Sequence, residues 1–208
     1  MEGADTENAA STKFLRPEDG AWDRKNPNRY YFVTTDQMDA GKDGLLNSDI
    51  NNTQVGRSRL WALTFKDGAK PELGGSIEML LDGTRANGDY QMLDNISVNA
   101  DGTLILQEDV GNNKHNGAVW KFDPETGMLA KIARFDPTLF GDVSAAGTLT
   151  KDEESSGVID ITDILNRKDG RTYNLMVAQN HAPSGDPETV EGGQLMLMSH
   201  PALRKSLR

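Results

Sequence analysis

In the segment Arg16-Pro17-Glu18-Asp19 a guanidinium and a carboxylate stand two residues apart. On an extended strand such residues share a face, so Arg16 and Glu18 can address one point. A cation bound by Glu18 and an anion held bidentately by Arg16 would then lie side by side. That arrangement suits a phosphate ester bridging a metal and an arginine. The plainer alternative is an exposed ion pair worth ~0–1 kcal/mol. Asp94-Asn95 supplies oxygen donors of the kind calcium takes at the entry to an alternating Ile96, Val98 run; an Asp-Asn turn is the alternative. Glu108-Asp109 ends the run Leu104-Ile105-Leu106-Gln107. A buried strand does not finish on two carboxylates without a cation or a basic partner, whereas an exposed strand end can. Asn180-His181 closes a third such run. There His181 is either a substrate contact or an ordinary structural histidine. Glu153-Glu154 caps a loop or lines the same end.

Other chemistries lack their residues. The sequence holds no Gly-x-Ser-x-Gly elbow, P-loop or dinucleotide glycine fingerprint. Its histidines, at positions 115, 181 and 200, are scattered without zinc-ligand spacing. Cysteine is absent, which removes disulfides and thiolate ligands. A net charge of −10, from 32 acidic and 22 basic residues, argues against a nucleic-acid partner, whose phosphates need basic surface. It suits hard cations, or simply keeps a protein soluble. No apolar run is long enough for a membrane-spanning helix.

These residues recur in a fixed frame. Three β-rich runs end on an acid or amide at Asp36, Asp109 and Asn180, 73 and 71 residues apart. Each follows a polar-tipped segment (16–23, 93–98, 155–160), and each precedes a strand opening on Gly (56–65, 117–122, 192–198). Outer-strand candidates at 76–81 and 128–135 complete the first two units, with Gly-containing turns between strands. This predicts an all-β chain of about three four-stranded antiparallel β-propeller blades over residues 14–201. It is flanked by a polar N-terminal linker, 1–13, and a basic tail, 202–208. The third unit lacks its outer strand, and propellers close with four to eight blades. The expectation is therefore further blades upstream or self-association through open sheet edges. The polar, acidic start carries no export signal, so the chain is either cytosolic or begins downstream of one.

Phe14-Leu15-Arg16-Pro17-Glu18-Asp19, the stretch from Leu93-Asp94-Asn95-Ile96 to Gln107-Glu108-Asp109, and Glu153-Glu154-Ser155-Ser156-Gly157-Val158-Ile159-Asp160 resemble the C-terminal half of the PhoX-type alkaline phosphatases, the DUF839 group. The resemblance implies part of a six-bladed propeller, periplasmic or secreted, that hydrolyses phosphate esters with calcium and, in the complete protein, iron. It implies that Arg16 holds the phosphate and Glu18 binds metal, these two forming the catalytic pair, with Asp94 and Glu108 as further ligands. Neighbouring Asn95 and Asp109 are alternative ligands, and His181 is a second substrate-binding candidate. The family's iron site takes a cysteine thiolate, which this sequence does not supply. Two other functions fit the same residues: a lactonase-like calcium-dependent hydrolase that needs no arginine, and a non-catalytic calcium-stabilised binding module.

Overall fold

The computed structural model describes residues 14, 16–35, 58–83, 90–111, 115–141 and 147–201. Strand formation follows the β-branched and aromatic runs. β1 (Pro17–Trp22), β2 (Arg29–Thr34), β3 (Arg59–Phe65) and β4 (Gly75–Asp82) form a first antiparallel sheet in chain order. β5 (Leu93–Val98), β6 (Leu104–Glu108), β7 (Ala118–Asp123) and β8 (Met128–Arg134) form a middle sheet with the same order. β9 (Glu153–Asp160), β10 (Arg171–Pro183) and β11 (Glu191–Pro201) form the third.

Local chemistry sets the hairpins. Asp23 Oδ1 accepts the Lys25 and Asn26 amides and turns the chain between β1 and β2. Gly102 (φ +87°) and Gly127 (φ +73°) occupy the left-handed positions that close the β5–β6 and β7–β8 turns. A one-turn helix, α1 (Thr162–Leu165), and a short 3-10 segment at Pro71–Leu73 interrupt the strands, and neither is legible in the strand pattern.

Alternation decides the packing. Tyr31, Val33, Leu60 and Ala62 of the first sheet meet Leu93, Leu104, Leu106 and Trp120 of the middle sheet in the larger core. The opposite face of the middle sheet sets Ile105 and Val119 against Val158 and Met176 of the third. All five residues of β6 are consequently buried, each large apolar side chain contributing about 1.5–3 kcal/mol. Polar contacts fix the sheets laterally. Asp19 Oδ2 accepts the Ile96 amide (3.1 Å), and Asp160 Oδ2 accepts that of Ala100 (2.7 Å). Asn174 Nδ2 donates to Asn99 Oδ1 (2.9 Å).

The strand count follows the expectation that the third unit lacks its outer strand. Two sheets have four strands, but the third has three among the described residues, with β11 at its edge. The strand-ending Asp36 lies outside the described residues, as do the linker 1–13 and the tail 202–208.

Candidate functional site

One hydrogen bond repeats in all three sheets and puts them in a common frame. The carbonyl just before the first strand accepts the amide just after, or late in, the second strand: Thr35 to Arg16 (3.0 Å), Asp109 to Met92 (3.0 Å) and His181 to Asp152 (3.4 Å). Two residues downstream of those carbonyls stand Glu18, Asp94 and Glu154. Three equivalent positions thus carry three carboxylates at the same end of the sheets. The frame differs by one residue from the sequence repeat in the first and third sheets, where Thr35 rather than Asp36 and His181 rather than Asn180 are equivalent to Asp109.

The local backbone is irregular where these groups sit. The β1–β2 register shifts between Pro17 and Gly20, and the β5–β6 register between Leu93 and Asn95. Glu18 and Asp94 therefore occupy bulges, which re-aim side chains out of the ladder. Arg16 and Met92, each just before its strand, hold left-handed conformations (φ +47° and +48°). Such strain in a non-glycine residue is concentrated at functional sites.

Arg16 and Glu18 meet at 3.0 Å, with the two side chains 42 % and 28 % exposed, so the pair is open to a ligand. Asp94 lies among carboxylates. Burial first, then the charges of Asp109, Glu18 and Glu154, push it up to about 6, while Arg16 opposes the shift. Asn95 Nδ2 donates to Asp94 Oδ2 (2.8 Å). Asp109 forms an antiparallel bridge with Glu154, which brings the end of β6 to the start of β9. Glu154 is raised by burial and by the Asp109 charge. His181 Nδ1 lies 2.8 Å from Glu191 and its Nε2 lies 3.7 Å from Glu154. The Glu191 hydrogen bond, helped by the surrounding carboxylates, holds its proton to higher pH than usual.

Of the residues anticipated from sequence, Arg16, Glu18, Asp94, Asn95, Asp109 and His181 therefore fall at one end. Glu108 is placed differently. It points into the larger core, fully buried, where Oε1 accepts the Gln91 amide (2.9 Å) and Trp120 Nε1 (2.8 Å). Its Oε2 accepts the Ala118 amide (2.8 Å) and pairs with His115 Nε2 (2.8 Å). Both oxygens are committed, so the carboxylate is a structural anchor and its basic partner is His115. At this strand end Glu108 meets the His115 side chain. Glu154, which spacing alone left between a loop cap and the site, stands in the acidic group, whereas Glu153 turns inward and accepts the Gly117 amide (3.0 Å).

The oxygen donors are carboxylates and the Asn95 amide, so their chemistry fits a hard cation such as calcium, and crowded carboxylates gain from one. Among the described residues no three His, Asp or Glu side chains already converge closely enough to hold one ion. Calcium, with six to eight ligands, would also take amide, carbonyl and water oxygens. The thiolate side of an iron site has no counterpart in this cysteine-free chain. Among the described residues no helix is long and apolar enough to cross a membrane. No protein-family model matches the chain, and no curated protein does either.

Proposed function

We propose that the three sheets are β-propeller blades whose acidic end binds calcium and receives a phosphate ester, as part of a calcium-dependent hydrolase of PhoX type working in an exported compartment. The single observation that carries this reading is the set of equivalent carboxylates, Glu18, Asp94 and Glu154, with the Arg16 guanidinium beside the first of them.

The roles follow from charge and position. Glu18, Asp94, Asp109 and Glu154 would hold calcium, with Asn95 adding an amide oxygen. Bound calcium supplies Lewis-acid polarisation of a phosphoryl oxygen and neutralises its charge. Arg16 presents a planar fork for the remaining phosphoryl oxygens and fixes their orientation. His181, whose pKa is raised first by the Glu191 hydrogen bond and then by the nearby carboxylates, would add a second cationic group at the same end when protonated.

Hydrolysis of an aryl phosphate in the presence of calcium tests the reading. Turnover should depend on calcium and disappear in Glu18→Gln and in Arg16→Ala. Lactone hydrolysis that survives Arg16→Ala would favour a lactonase-like enzyme. Calcium stabilisation with no ester turned over would favour a non-catalytic binding module.

A further inference from the structure

The stack of sheets ends, on both sides, in an apolar face that no other described strand covers, and on the first of them Phe14 alone among the described rings meets Phe32 and Trp61 edge-on. On the first sheet, the face turned away from the middle sheet carries the cross-strand rows Trp22–Tyr30–Leu63–Ile77 and Phe32–Trp61–Met79. On the third sheet, the face turned away from the middle sheet carries the rows Ile159–Leu175–Leu197 and Val177–Leu195. Twelve large hydrophobic side chains are exposed among the described residues. Six of them, Trp22, Ile77, Met79, Ile159, Leu195 and Leu197, lie on these two faces. Contiguous apolar patches of this kind mark association sites.

The occupant is indicated by the stack itself. The middle sheet has the same strand order as the first and is buried on both faces. One face receives the first sheet, and the other receives the third. The free face of the third sheet stands to that sheet as the covered lower face of the middle sheet stands to its own. The free face of the first sheet is likewise the counterpart of the middle sheet's covered upper face. The two free faces are therefore the two halves of a contact the chain already makes internally.

We propose that a second copy of this chain stacks head to tail on the first, the outer face of its first sheet against the outer face of the third. Within one chain β1 lies beside β5 and β5 beside β9, so the same step would bring the second copy's β1 next to β9. Arg16 and Glu18 of the second copy would then join Glu154 and His181 of the first. Two copies related by a twofold axis make this contact twice and leave neither face open, which is the closed form that symmetric oligomers favour. The inference stands on packing alone and does not rest on the proposed chemistry.

Molar mass in solution, measured by light scattering over a wide range of concentration, tests it. The expected mass is that of two chains. Leu195→Glu on the third sheet and Ile77→Glu on the first should each halve it while far-ultraviolet circular dichroism keeps its β-sheet signature. Should either charge unfold the chain, Leu197→Lys and Met79→Lys address the same two faces. A wild-type mass of one chain at all concentrations would overturn the proposal. So would a dimer that survives either substitution, since that would mean like faces pairing. Ester hydrolysis is a separate readout, so failure of the assembly and failure of the proposed activity are distinguishable.

Discussion

Asp94 is the residue on which the acidic end is most strained. Its folded value of about 6 lies above the ordinary 3.8 because burial and three neighbouring carboxylates disfavour its charge. Between those values the folded chain keeps a proton that the unfolded chain has released, so stability falls as pH rises through this window, and the penalty is complete above it. Asp94→Asn should therefore melt higher than wild type in calcium-free buffer at about pH 8 and lose that advantage at about pH 4. Thermal denaturation across pH measures this. An equal difference at both pH values would show that the asparagine acts through packing and not through charge. Glu108 should behave oppositely. Its removal orphans four donors inside the core, so Glu108→Ala should lower stability by about 2–4 kcal/mol in urea denaturation. Glu18→Gln, at an exposed pair, should stay within about 0.5 kcal/mol. Sequence alone could not separate Glu108 from Asp109. Adjacent strand residues point to opposite sides, and which one is buried depends on the partners that the fold brings to Glu108, the Gln91 and Ala118 amides, Trp120 and His115.

The strands were legible as elements because each is a β-branched or aromatic run bounded by turn residues. Every described strand overlaps an expected one, from Pro17–Trp22 to Glu191–Pro201. What spacing could not reveal were the bulges. A bulge adds one residue to one strand without changing residue types, so it leaves no mark in the spacing, and the observed frame lies one position from the expected one at both Thr35 and His181. The third sheet shows the device most clearly. Its β9–β10 register shifts between Met176 and Val177, beside Gly157, whose φ is +51°. A Cβ there would lie 3.2 Å from Val177 Cγ2. Gly157→Ala should accordingly cost about 1–2 kcal/mol from the left-handed backbone. Since the bulge sets where Glu153, Glu154 and Ser155 point, the same substitution should also weaken any calcium-dependent rise in melting temperature. Melting curves with and without calcium separate the two effects, and a loss of stability with the calcium shift intact would detach the bulge from the site.

At the scale of the whole molecule, three sheets stack through alternation alone, the middle one sandwiched and the outer two covered on one side. The all-β character and the antiparallel sheets were therefore readable from the strand pattern. The strand complement of the third sheet was readable from the short segment after Met198. The electrostatic neighbourhood of Asp94 with Glu18, Asp109 and Glu154 was expected only in outline, because it depends on how sheets some seventy residues apart in sequence lie side by side. Its closing around one cation is the core of the proposed function, and a calorimetric titration with calcium tests it most directly. The account predicts saturable calcium binding by the wild-type chain, weakened at least tenfold, about 1.4 kcal/mol, in both Asp94→Asn and Glu154→Gln although the two residues belong to different sheets. Absence of binding, or binding that neither substitution changes, would contradict it.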